Sequence, residues 1–119
     1  MKKLNEIYKC VACDDLVEIV RAVDGDLICC GQPMEKLEEK SGEEGMEKHK
    51  PVVENQKVLI GSVPHPMLPE HHIEWIEVFD GDDVCRKNLT VDDKPEAEFC
   101  NKNIKTARAF CNIHGLWKN

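Results

Sequence analysis

From Lys57 to Phe79 the chain reads KVLIGSVPHPMLPEHHIEWIEVF, and the fold turns on how this stretch is divided. Its ends, KVLIGSV and HIEWIEVF, are short runs rich in β-branched and aromatic side chains, the composition of strands. Between them Pro64, Pro66 and Pro69 mark a turn-rich connection. The same alternation of runs and turns continues on both sides. VVE at 52–54 precedes it; DVCRKNLTV at 83–91, EAEFC at 96–100 and KTARAFC at 105–111 follow. Turn signals at Glu54-Asn55, Asp80 to Asp83 and Asp92 to Pro95 separate them. Short strands at such spacing predict an antiparallel β-sandwich with Greek-key connections over residues 49–119. About 70 residues is small for a sandwich, but workable where a metal ties strand ends together.

The N-terminal 35 residues have a different character. Cys10 and Cys13 form C-V-A-C, and Cys29 and Cys30 stand adjacent before Gly31. In the intervening DDLVEIVRAVDGDL, Val17, Ile19 and Val23 alternate with polar positions as in a short strand. Asp24-Gly25 reads as a hairpin turn, because glycine tolerates the positive φ such turns require. That layout brings two cysteine pairs to one end of a small β module. Four thiolates converging on one point suit iron or zinc, and cysteines alone do not choose between them. Neighbouring strand residues face opposite sides, so Cys29 and Cys30 can share an ion only on an irregular turn. Two disulfides are the alternative, but so short a segment cannot bury enough apolar surface to fold unaided.

Residues 36–48, within EKLEEKSGEEGMEK, carry charge and glycine without apolar periodicity and read as a solvated linker. A short helix from Met34 to Lys40 is the alternative.

Composition narrows the function. A net charge of −7 over 119 residues argues against non-specific nucleic-acid binding and against anionic membranes. No apolar run is long enough to span a bilayer, and no apolar segment of a secretory signal follows MKKLNEIYKC. Seven cysteines with C-x-x-C spacing and no such signal favour metal ligation in a reducing compartment, the cytoplasm.

All five histidines, His49, His65, His71, His72 and His114, lie in or beside turns or strand ends, where side chains from different segments can converge. Pro64 and Pro66 stiffen the backbone around His65. Cys111 and His114 are two residues apart, so both can reach one ion from a tight turn, with Gly115 supplying backbone freedom. One histidine alone is an ordinary surface side chain. His65, His71, His114 and Cys111 together make a shared metal the more economical reading. Cys85 and Cys100, in apparent strands, read as small buried apolar residues. Trp75 and Trp117 read as core or pocket-lining residues.

C-x-x-C with the later C-C-G, then EKHKP (47–51), GSVPHPM (61–67), HHIEWI (71–76) and CNIHGLWK (111–118), carry a further reading. Along essentially its full length the chain resembles desulfoferrodoxin, the two-iron form of superoxide reductase. The resemblance implies a desulforedoxin-like, rubredoxin-like iron module on Cys10, Cys13, Cys29 and Cys30, followed by an immunoglobulin-like sandwich holding a second iron. Its ligands would be the imidazoles of His49, His65, His71 and His114 and the thiolate of Cys111. Family spacing selects His71; His72 then falls where the family often has tyrosine. One coordination position would stay open for superoxide, which is reduced to hydrogen peroxide, with the thiolate pushing electron density toward that position. Lys48 would recruit the anion, and Glu47 would close the ferric site after turnover. Attraction has to be local in so acidic a chain, because charge is screened within about 8–10 Å at cellular salt. An external electron donor such as a rubredoxin and a homodimer are also implied. Two other functions share these residues. A non-catalytic iron electron-transfer protein would have a closed second centre, and a zinc-stabilised binding protein would be colourless.

Overall fold

The structure, a computed structural model, describes residues 1–101 and 103–119. The chain divides into two units, Met1–Glu38 and Glu39–Asn119.

In the first unit β1 (Ile7–Lys9) is flanked by β2 (Leu16–Glu18) and β5 (Glu35–Lys36), both antiparallel to it. A separate hairpin pairs β3 (Ile28–Cys29) with β4 (Gln32–Pro33). Its loop is Cys30-Gly31, with φ of 53° and 75°, so both central residues are left-handed as in the primed hairpin turns. This is the irregular turn that lets neighbouring cysteines face one point. The Asp24-Gly25 expectation needs correcting. β2 turns back onto β1 rather than onto β3, so Asp24-Gly25 is a bend between the two sheets and not a hairpin turn. The reason is length: three residues of β2 saturate one edge of β1, and the chain then has to leave. Ile7, Cys10 and Ile19 are the buried apolar residues of this unit, a very small core.

The second unit contains a four-residue helix, α1 (Met46–His49), and seven strands in two antiparallel sheets. One sheet orders β10 (Glu96–Glu98), β7 (Lys57–Ile60) and β6 (Pro51–Glu54). The other orders β12 (Gly115–Lys118), β11 (Thr106–Cys111), β8 (Ile73–Asp80) and β9 (Asp83–Asn88). The chain is therefore all-β apart from α1, with the two-layer sandwich that the strand pattern predicts. Inward residues of both sheets, Val58, Ile60, Ile73, Ile76, Val78 and Ala109 among them, form one core.

β8 carries an irregularity that matters for the site. Ile76 and Val78 alternate correctly for one face, but Ile73 has the opposite parity and yet lies in the same core. A register shift between Phe110 and Cys111 resolves this: Phe110 pairs with Trp75, and Cys111 pairs with Ile73. Glu74 is the extra residue. The bulge inverts the parity of the end of β8, so Ile73 faces inward beside Cys111, which keeps the parity of Ala107 and Ala109 on β11.

β12 has no counterpart among the expected strands, since GLWK begins with glycine and shows no alternation. It is held by β11 on one edge, and on the other Lys40 makes a single parallel bridge to Trp117. The stretch 36–48 is mostly exposed, but it is structured at Lys36, at Lys40 and at α1. Residues 34–40 form a strand and a bridge, not the alternative helix. Cys85 is half-buried against the core, as a small apolar residue, whereas Cys100 is exposed, contrary to expectation. Phe99 turns into the core just past β10, and alternation sends Cys100 outward. Both are free thiols.

Candidate metal centres

Two clusters bring ligand atoms together: Cys10, Cys13, Cys29 and Cys30 in the first unit, and His49, His65, His71, Cys111 and His114 in the second. Within each, the donor atoms lie within 4.8 Å of one another.

The four-thiol cluster joins a knuckle to a hairpin turn. At the knuckle the amides of Ala12 and Cys13 both donate to the Cys10 sulfur at 3.4 Å. These bonds, that of Cys13 first, lower the Cys10 thiol to about 7. Cys29 moves the other way, raised chiefly by its neighbour Cys10, as expected when several thiols crowd one place without a cation. The Cys13 and Cys29 sulfurs are 3.6 Å apart, and those of Cys29 and Cys30 3.9 Å. A tetrahedron with metal–sulfur bonds of ~2.3 Å has edges of roughly 3.8 Å, so the spacing fits a single four-coordinate ion.

The second cluster is assembled from three separate segments. His49 ends α1 and precedes β6; His65 and His71 lie on the β7–β8 connection; Cys111 ends β11, and His114 is the last residue of the three-residue loop to β12. The four imidazoles form a ring. Centroids of successive members, 49 to 65, 65 to 71, 71 to 114 and 114 to 49, are 4.6–4.9 Å apart. His49 and His71 are 6.3 Å apart, close to the ratio of a square's diagonal to its side. The Cys111 sulfur is 3.7 Å from Nδ1 of His114 and receives the His114 amide at 3.4 Å.

The orientation of the rings is set from outside. Nδ1 of His49 lies 2.8 Å from the Gly45 carbonyl, and Nδ1 of His65 lies 2.7 Å from that of Pro66. Each ring therefore donates Nδ1–H to a carbonyl, which leaves Nε2 as a bare lone pair. Both Nε2 atoms are buried without a hydrogen-bond partner. Buried orphan nitrogens are costly unless something accepts the lone pair, and a metal cation fits that need. Burial lowers His65 to about 4 and also holds His49 and His71 below the ordinary imidazole range, so all three are neutral and ready to ligate near pH 7. Burial also raises the Cys111 thiol, against the opposing amides of His114 and Ile113. His49, His65 and Cys111 are buried, His71 is half-buried and His114 exposed, so the cluster meets solvent on the His71–His114 side.

His72 is not in the cluster. Its Nδ1 donates to the Leu68 carbonyl at 2.9 Å. Lys48 and Glu47 are both exposed on α1. The Lys48 charge contributes, after burial and His114, to holding His71 low. The Glu47 carbonyl accepts from Ser62 Oγ at 3.2 Å and from the Val63 amide at 2.9 Å. Gly61, at φ 83°, leaves no room for a side chain: a Cβ there would come within 2.7 Å of the Lys48 carbonyl.

Three further residues shape this centre. Asn112 accepts from the His72 amide at 2.9 Å and donates to the Glu70 carbonyl at 3.1 Å, so it grips the backbone on both sides of His71. Trp117, expected to line a core or pocket, stacks on His49 at 4.8 Å and donates to the His114 carbonyl at 3.1 Å. Lys40 donates to that same carbonyl at 2.9 Å. Only the adjacency of Asn112 to Cys111 was a signal available from the sequence.

Comparison with known proteins agrees with this geometry. Residues 41–119 match the family model described as desulfoferrodoxin, and residues 2–37 the desulfoferrodoxin N-terminal domain. A desulfoferrodoxin homolog of Archaeoglobus fulgidus is 49% identical, covering 100% of this chain and 99% of that protein. A superoxide reductase of Pyrococcus abyssi is 40% identical over 67% of this chain and 90% of its own length. Among solved structures, the superoxide reductase of Treponema pallidum superposes with a TM-score of 0.73 at 29% identity, covering 96% and 95% of the two chains.

Proposed function

The chain belongs to the desulfoferrodoxin family, and from that premise we propose which of its residues carry its chemistry. It is a superoxide reductase, an oxidoreductase with a four-cysteine and a four-histidine, one-cysteine iron site. The balance is one superoxide, one electron and two protons to one hydrogen peroxide. Iron held by His49, His65, His71, Cys111 and His114 would supply the electron and a coordination position for the anion.

In this reading Cys10, Cys13, Cys29 and Cys30 hold the first iron, and His49, His65, His71, Cys111 and His114 hold the second. The observation that carries it is the pair of orphaned, buried Nε2 atoms on His49 and His65, within the ring of four imidazoles. Lys48 recruits the anion. Its exposed place on α1, directly before His49, supports this, and a chain of net charge −7 needs a local cation to attract an anion. Lys48 also orients the water that delivers a proton to the reduced product. Glu47 closes the site between turnovers, its backbone held by Ser62 and Val63 while the side chain stays in solvent.

Two partners come with the reading. Each turnover consumes one electron, so a one-electron donor of the rubredoxin kind restores the centre, and the active form is a homodimer. Free thiols and thiolate ligands suit a reducing cytoplasm; no helix among the described residues is long and apolar enough to cross a membrane.

The experiment is pulsed superoxide on the iron-loaded full chain and two variants. Lys48→Ala slows the bimolecular reaction while iron content stays intact, and an unchanged rate sinks the recruiting role. Glu47→Ala opens the oxidised centre to added anions; an unaltered spectrum with those anions rules out the closing role.

A further inference from the structure

We propose that Lys40 is a positioning residue of the histidine–cysteine centre, acting on the Cys111–His114 loop while Lys48 serves the substrate. This rests on the reading that Cys111 holds the iron. Lys40 lies in the charged stretch before α1, far in sequence from the ligand loop, yet it is anchored to β12 at both backbone groups. Its amide donates to the Leu116 carbonyl at 2.9 Å, and its carbonyl accepts from the Lys118 amide at 2.8 Å. Nζ reaches the His114 carbonyl at 2.9 Å and sits 5.6 Å from the Trp117 ring centroid, within cation–π range.

That carbonyl is a strategic place. It accepts from Lys40 and from the Trp117 indole, while the amide of the same residue donates to the Cys111 sulfur and its ring joins the imidazole ring. His114 is thus gripped at three points, and Lys40 supplies the one that carries charge. The division between the two lysines is visible in what each acts on. Lys40 is bonded to the His114 carbonyl, whereas Lys48 stands exposed on α1.

A fixed ammonium on the carbonyl of a ligand residue stabilises the more negative state of the centre. The reduced centre is one charge less positive than the oxidised one, so Lys40 raises the midpoint potential and makes the centre easier to re-reduce. It also draws density from the sulfur, which moves thiolate-to-iron absorption to higher energy. Hydrogen bonds and nearby charge are recognised means of tuning a ligating sulfur.

The test uses the full chain loaded with iron, with Lys40→Met to keep the stem and remove the charge, and Lys40→Arg to restore it. Lys40→Gln substitutes if the Met variant loses iron. The Met variant should show a lower midpoint potential and a longer-wavelength thiolate band at the second centre, with the four-cysteine centre unchanged, and Arg should return both. The salt dependence of the superoxide reaction should persist in Lys40→Met and weaken in Lys48→Ala. Potential and band equal to the parent in Lys40→Met, or a shift that Lys40→Arg does not reverse, overturn the proposal. A parent protein lacking the thiolate band would instead refute Cys111 as ligand, so the two failures are told apart.

Discussion

The two metal centres are built on opposite principles. The four-cysteine cluster draws on two short local devices, a knuckle at residues 10–13 and a hairpin turn at 29–31, in a unit whose buried apolar residues are Ile7, Cys10 and Ile19. Cys13 and Cys30 are exposed. The five-ligand cluster draws on three distant segments supported by a two-sheet core, with His49, His65 and Cys111 buried. In the first the metal makes the fold; in the second the fold makes the site. Local ligands on a weak core need the ion for stability. Distant ligands on a strong core are held in place by carbonyls, Asn112 and Lys40, which suits a centre that must bind and release a small anion.

Chelation is the harshest way to break that comparison. Stripping both metals should unfold the first unit, since a structural metal contributes on the order of 10 kcal/mol. The second unit should keep its dispersed amide spectrum by NMR. Concerted loss of both units would end the distinction. Ile76→Ala is the converse. Ile76 is 0% exposed, and truncation there should cost about 2–5 kcal/mol in the second unit, read by thermal unfolding. Four-cysteine absorption should survive past the point where the second unit melts.

Asn112→Ala is finer. Its two side-chain bonds hold the backbone around His71, and losing them should cost about 1–3 kcal/mol and speed iron loss from the second centre alone. Metal retention under competition with a weak chelator measures this. The smallest effect concerns pH in the first unit. The Lys3 amide and then the Lys36 side chain hold the Glu6 carboxyl below its ordinary range. A depressed carboxylate contributes stability that is present above its unfolded pKa, near 4.5, and lost as pH falls through the folded value. Glu6→Gln should flatten the acid limb of the first unit's unfolding curve, with no change in the second.

Legibility in the sequence followed the locality of each feature. C-x-x-C and C-C-G are read without a fold because the ligands are neighbours. The strand pattern from Val52 to Cys111 shows a sandwich because alternation reports a buried face. The turn at Asp24-Gly25 misled because one glycine signals a bend without saying which strands it joins. Neighbouring His71 and His72 could not be separated by alternation alone; the structure sends His72 to the Leu68 carbonyl and brings His71 into the ring. β12 was missed because its pairing, not its composition, makes it a strand.

The chain's local chemistry thus determined the ligand types, the four-thiol site and the β character, because these depend on residues a few positions apart. Tertiary structure alone decided the rest. The Glu74 bulge turns Ile73 inward beside Cys111, the Gly45 and Pro66 carbonyls expose the Nε2 lone pairs, and the Lys40 bridge carries a charge to the ligand loop. Each depends on contacts between segments that are far apart in sequence or on backbone geometry that residue types alone do not specify.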